Sequence, residues 1–220
     1  EETTIKSLET LNRNSEVVLY QTSSAADERY YIQGKSSGSI SFEVRTVFPD
    51  QSFYSSAQTE TSIFGLNKLD ITASDITVAS PNNAGFVVTS VKDATTFKGS
   101  KFRLASTTGI FDTITTTYFP EVFDNTPWYL SVRFSEDTGV PLENLNTKGT
   151  KSYKVEFNGY QYELDTLVSS FSHTASITEA NYLNFIQANK NVFLGAQRTN
   201  ITGSTIKQTE NRFLTFTVWD

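Results

Sequence analysis

Short runs of branched and aromatic residues recur along this chain at intervals of about ten residues, each cut off by Ser, Thr, Asn, Gly or Pro. That rhythm leaves no room for long helices and demands strands that turn back on one another. Ser39–Phe48 is the clearest run: Ile40, Phe42, Val44 and Thr46 point one way, Ser41, Glu43 and Arg45 the other. A period of two is what a strand with one wet face requires. Trp128–Phe134 repeats it, with Trp128, Leu130, Val132 and Phe134 against Tyr129, Ser131 and Arg133. Ser15–Tyr20, Tyr30–Gln33, Ser62–Leu66, Ile76–Ala79, Gly85–Val91, Lys101–Ala105, Val192–Ala196 and Arg212–Trp219 read as further strands. Pro49, Pro81, Pro120, Pro127 and Pro141 fall between runs, where a missing N–H breaks no ladder.

Composition agrees. The 17 Phe and 10 Tyr lift the aromatic share to 13%, while charged residues supply only 19%. Ser and Thr together make up roughly a quarter of the chain, well above ordinary usage. Ring and branched side chains pack well across a pleated surface. At 220 residues the chain is long enough for one sizeable core, and all-β domains of this size commonly stay undivided. Residues 1–15 are polar and read as an arm or linker, leaving 16–220 as the folded domain. Thr178–Lys190 is the one helix expected, capped by Thr178, with Tyr182, Phe185, Ile186 and Asn189 on one face. Asn158-Gly159, between Tyr153–Phe157 and Tyr160–Leu164, predicts a hairpin, because a type I′ turn needs positive φ at both central positions. Ser135–Thr150 reads as a polar loop.

Several function classes drop out. Net charge is −6 and the 18 Lys and Arg are scattered, so no basic footprint for nucleic acid or anionic membrane is present. No apolar run approaches membrane-span length. With no Cys, neither a disulfide, a zinc–thiolate site nor a thiol nucleophile can form. With no Met, Glu1 is expected to follow processing or to open a piece of something longer.

The order of features in the second half is more specific. A Trp opens the strand Trp128–Phe134; Tyr153-Lys154-Val155-Glu156-Phe157-Asn158-Gly159 follows, then Val192-Phe193-Leu194-Gly195, then Phe213–Trp219. This succession resembles the laminin-G branch of the concanavalin A-like lectin/glucanase superfamily. The resemblance covers Trp128 to Trp219, with Ser39–Phe48 and Ser62–Leu66 fitting more loosely and Asn67–Pro120 unaligned. It implies an all-β, two-sheet antiparallel jelly-roll sandwich with one concave sheet. Gly195–Ser204 also resembles segments of laminin-G-like modules in structural proteins of tailed phages and large viruses.

Candidate chemistry is sparse. Glycosidases of this superfamily carry paired carboxylates on one strand in the pattern Glu-x-Asp-x-x-Glu, which is absent here. Glu156 and Glu163, expected on paired strands, are the only candidates for such a pair and read as solvated charges. His173 is the single histidine and reads as a loop residue; no Ser sits in a Gly-x-Ser-x-Gly elbow. No catalytic residue and no metal ligand is assigned. Relatives hold calcium at the sandwich rim with Asp, Asn and main-chain oxygen, so Asp70 with Asp75, and Asp112 with Asp124 and Asn125, are where calcium would bind if any cofactor does. Turn roles through their own side chains are the preferred reading. Trp128 and Trp219 lie on alternating strands and are expected in the core rather than stacked on sugar. Arg198, Thr199 and Asn200 occupy a turn-rich loop before the last strand and form the candidate ligand-binding set, with turn chemistry as the rival role. Asn200-Ile201-Thr202 also spells a glycosylation acceptor.

The expected role is a non-enzymatic structural or decoration module of a virion. Its partners would be other virion proteins or copies of itself, and surface glycan as well. The alternative is an extracellular, carbohydrate-binding adhesion module.

Overall fold

The period-two runs build two antiparallel sheets packed face to face. The computed structural model describes residues 2–8, 16–19, 31–32, 38–48, 60–67, 80, 83–93, 99–137, 151–187, 190–195 and 211–219. In chain order the strands are β1 (Glu2–Leu8), β2 (Glu16–Leu19), β3 (Tyr31–Ile32), β4 (Ile40–Val47), β5 (Glu60–Asn67), β6 (Phe86–Lys92) and β7 (Ser100–Ser106), followed by β8 (Asp112–Ile114), β9 (Pro127–Asp137), β10 (Ser152–Glu163), β11 (Thr166–Ile177), β12 (Lys190–Gly195) and β13 (Arg212–Trp219). The first sheet runs β1-β13-β4-β9-β10-β11; the second runs β2-β12-β5-β6-β7-β8, with β3 also paired to β12. Chain-distant neighbours such as β13 and β4 make this a jelly roll rather than a meander.

Inward positions of both sheets meet in an aromatic core. Phe42, Phe64, Phe86, Phe102, Trp128, Phe134, Phe157 and Phe213 are all fully buried. Phe102 lies 4.9 Å from Trp128 and 5.4 Å from Phe171, centroid to centroid. Offset and edge-on ring pairs of this kind add about 0.5–1.5 kcal/mol each beyond area burial. One helix, α1 (Glu179–Ile186), packs on the same core: Phe185 stacks on Phe134 at 4.8 Å, and Tyr182 meets Tyr153 at a tilt, 4.9 Å between centroids.

The helix forms where its cap predicts and stops earlier than expected. The Thr178 side chain accepts from the Asn181 N–H, and the last turn is closed by the Gln187 N–H on the Leu183 carbonyl. β12 then takes over at Lys190, and Asn189 lies outside the described residues. Ile76–Ala79 also lies outside them.

The Asn158-Gly159 turn is a correction. β10 runs straight through both residues, pairing Asn158 with Ser131 on one side and Ser172 on the other. The chain reverses at Leu164-Asp165, whose φ values of 45° and 65° supply the positive pair that the hairpin needs. Gly159 serves close approach instead: a Cβ there would run into the Phe171 ring. β11 follows that turn and was not anticipated, because its Ser-rich run looks like a linker. His173 sits on it, opposite Phe157, and is therefore a strand residue rather than a loop residue. Within the polar segment 1–15, Glu2–Leu8 pairs with β13 as an edge strand.

Candidate functional site

Antiparallel register places directly opposed residues on the same face of a sheet. Across the first sheet, Thr215, Arg45, Tyr129, Tyr160 and Ser170 form one such row. The next row is Thr217, Glu43, Ser131, Asn158 and Ser172, and the one after is Trp219, Ser41, Arg133, Glu156 and Thr174. All three rows are the polar phase of strands whose other phase fills the core, so they form the sandwich's outer face. Trp219 belongs to this face and is 45% exposed, which corrects its expected place in the core. The cause is phase: Phe216 and Val218 take the inward positions, so their neighbour must point out. Trp128, by contrast, is wholly buried as expected.

A groove of about 340 Å³ lies on this face, lined by Glu43, Arg45, Tyr129, Tyr160, Tyr162 and Thr215 among others. That volume falls in the range of small-ligand sites. Tyr129, Tyr160 and Tyr162 are each more than a third exposed. Tyr129 and Tyr162 meet edge to face at 6.0 Å. The Arg45 guanidinium carbon stands 5.2 Å from the Tyr129 ring centroid, within cation–π range. Arg45 Nε is sealed from solvent with no hydrogen-bond partner. Among the described residues no ion pair engages Arg45 or Glu43. Farther along β10, Lys154 and Glu156 pair at 3.2 Å.

The sequence candidates fare differently. Arg198, Thr199 and Asn200 lie outside the described residues, as do Asp70 and Asp75. Glu156 and Glu163 share one strand instead of facing each other across a hairpin. At the rise of a strand they stand about 23 Å apart, far beyond the roughly 5–9.5 Å that paired glycosidase carboxylates need. Asp112 is held by Arg103, whose Nε donates at 2.7 Å. That hydrogen bond holds the Asp112 carboxyl below its ordinary range. Arg103 also reaches Glu60 at 3.2 Å. Asp124 accepts from the Thr126 N–H at 2.8 Å, and Asn125 adopts φ 66°, so both serve a turn. Among the described residues no group of three or more His, Asp or Glu side chains is placed to hold a metal.

The groove residues carried a sequence signal that motif searching misses. Arg45 and Tyr129 are the outward phase of the two most regular alternating runs, and Tyr160 and Tyr162 sit two positions apart on a third. Only the strand order brings the three together.

No protein-family model matches the chain, and no curated protein matches it. Solved structures do. The lectin from Bauhinia forficata, in complex with GalNAc, superposes with a TM-score of 0.51 at 10% identity, over 99% of this chain and 91% of its own. Lectin I from Ulex europaeus, in complex with the methyl glycoside of α-L-fucose, gives 0.45 at 11% identity over 99% and 97%. The PL-14 alginate lyase from Aplysia kurodai gives 0.42 at 11% identity over 84% and 70%. Together with the sheet order, the first of these establishes the fold: the chain is an antiparallel jelly-roll sandwich of the concanavalin A-like kind.

Proposed function

We propose that this chain is a non-catalytic, lectin-like module that binds glycan across the outer face of the β1-β13-β4-β9-β10-β11 sheet. One observation carries the reading: three exposed tyrosines and an Arg–Tyr stack surround a groove on a face whose other positions are mostly Ser, Thr, Asn and Glu. Tyr rings offer apolar faces to the C–H side of a pyranose, while their hydroxyls and the neighbouring polar groups meet its hydroxyls. Trp219 is a further exposed ring on the same face, two rows from Tyr129 and Tyr160 of the groove. The GalNAc complex of the Bauhinia forficata lectin shows that a sandwich of this fold can hold sugar. The non-catalytic part is supported by the separation of Glu156 from Glu163. Glu43 and Glu156 are also distant, two strands over and one row along, about 12 Å.

Binding to a glycan array, followed by calorimetry on the best hit, tests the proposal. Tyr160→Ala and Tyr162→Ala should each weaken binding about tenfold or more without changing the thermal midpoint. Unaltered affinity in both variants would sink the groove as the site. Conversion of the bound glycan to shorter or unsaturated products would overturn the non-catalytic reading.

The second reading is the laminin-G-like virion module, with other virion proteins or further copies of this chain as partners. It rests on the Gly195–Ser204 resemblance and gains one structural observation. β11 is a 12-residue edge strand, Thr166–Ile177, with no Lys, Arg, Asp or Glu in it. Such an edge suits pairing with a neighbouring subunit. Reconstitution of symmetric particles containing this chain would support it; a purely monomeric chain at high concentration would count against it.

A further inference from the structure

We infer that the groove prefers glycans bearing a carboxylate, and that Arg45 is the residue that selects it. This rests on the glycan-binding reading above and narrows it to one ligand class.

Arg45 stands mid-sheet on β4, between Thr215 on β13 and Tyr129 on β9. Burying part of a guanidinium is costly unless an anion or a full set of acceptors compensates. Here the compensation within the described residues is incomplete. Nε is sealed without an acceptor, and the guanidinium lies over the Tyr129 ring. Arg45 lines the groove, and of its three guanidinium nitrogens Nε alone is both sealed and without a partner. Two parallel N–H donors on a rigid plane match the two oxygens of a carboxylate, and such bidentate pairs are the strong, geometrically selective ones. The Tyr129 ring holds the guanidinium against the sheet through a cation–π contact at 5.2 Å, and a donor held before binding has less ordering cost.

Glu43 is the obvious objection, since it lines the same groove. Register answers it. Glu43 lies one row away, opposite Ser131 and Thr217, about 7 Å along the strand direction from the Arg45 row. A sugar whose carboxylate meets Arg45 on the Tyr129–Tyr160 row places its ring hydroxyls towards Glu43, Ser131 and Asn158. Glu43 then accepts from hydroxyls and repels a carboxylate docked the wrong way round. The two charges orient the ligand rather than cancel each other.

A sugar carboxylate has two common sources, an internal uronic acid or a terminal sialic acid. The test uses matched pairs: uronate oligosaccharides against their carboxyl-reduced counterparts, and sialyllactose against lactose. Calorimetry should show the carboxylated member of at least one pair binding about 10- to 100-fold tighter, as expected of a charge-assisted hydrogen-bond pair. The pair that shows the preference identifies the source. Arg45→Gln should erase the preference, bringing the two members of the pair to equal affinity, and Arg45→Lys should keep only part of it. Raising the salt from about 0.05 to 0.5 M should narrow the ratio in the native chain. Equal binding of both members, or a ratio unchanged in Arg45→Gln, overturns the inference. If Tyr160→Ala still weakens binding in that case, the groove reading stands without it. If no member of any pair binds, the carboxylate inference falls, while the groove reading is decided separately by the glycan array and the tyrosine variants.

Discussion

At the scale of single residues, Gly159 shows how the same letter can serve opposite ends. In sequence it completes an Asn-Gly pair between alternating runs, the strongest short signal for a turn. In the structure it lies mid-strand because the Phe171 ring occupies the space where a Cβ would be. Phe171 in turn packs on Phe102, Phe119 and Phe157, so the ring has little freedom to withdraw. Gly159→Ala should therefore destabilise the protein by about 1–3 kcal/mol, the usual cost of overpacking. Urea unfolding measures it, and Phe171→Leu in the same chain should recover part of the loss. A neutral Gly159→Ala would mean that Phe171 does not sit where the core needs it. Trp219 carries a similar lesson. Its place on an alternating strand suggested burial, but the phase of that alternation decides exposure, and the phase is set by Phe216 and Val218 rather than by the Trp itself.

Elements were legible wherever one face is wet and the other apolar. β4 and β13 were readable almost to the residue, because Ile40, Phe42 and Val44 alternate with polar neighbours; β9 shows the same alternation at Trp128, Leu130 and Val132 but runs on through Ser135, Glu136 and Asp137, which read as the start of a polar loop and instead pair with β10. β11 was missed although it too has period two: Ser170, Ser172, Thr174 and Ser176 face out, while Phe171, His173, Ala175 and Ile177 face in. Its inward set is mixed and only half-buried, so the Ser-rich texture masked the pattern. β1 was hidden the same way, as a polar edge. The hairpin between β10 and β11 turns at Leu164-Asp165, where Leu164 is 95% exposed with φ 45°. A γ-branched apolar residue is poorly suited to that backbone, and Asn-Gly is the preferred pair. Leu164→Asn with Asp165→Gly should raise stability by several tenths to about 1 kcal/mol. Chemical denaturation reads the gain, and a loss would place the strain elsewhere in the hairpin.

For the whole molecule, the aromatic core makes alkaline pH the informative axis. The Tyr153 hydroxyl donates to Glu179 at 2.7 Å, and chiefly through that bond its pKa is pushed up to about 12. Burial pushes Tyr182 up to about 12 as well, with the Glu136 charge adding to it. Unfolded tyrosines ionise near pH 10, so the unfolded chain releases protons first as pH rises. Stability contributed by these two groups is intact below about pH 10 and is lost as pH climbs towards 12. Urea midpoints should hold level from pH 7 to 9 and fall steeply across pH 10 to 12. The Tyr182 hydroxyl is buried without a partner, so Tyr182→Phe should cost nothing at pH 7 and flatten the alkaline slope. A fall no shallower in Tyr182→Phe would assign the slope to other groups. The candidate site was less legible than the fold, because Arg45, Tyr129 and Tyr160 are far apart in sequence and share no motif. They become a site only when β4, β9 and β10 pair.

The row of Thr215, Arg45, Tyr129 and Tyr160 has an evolutionary consequence. Each of these positions alternates with a core position, so the residues proposed to meet a ligand are almost completely segregated from those that hold the sandwich together. Selection can rewrite the outward letters while the inward ones keep the fold intact. Two chains of this architecture could then share nearly every buried side chain and recognise unrelated molecules. A library randomised at the outward positions alone would be expected to yield folded proteins of new specificity at high frequency.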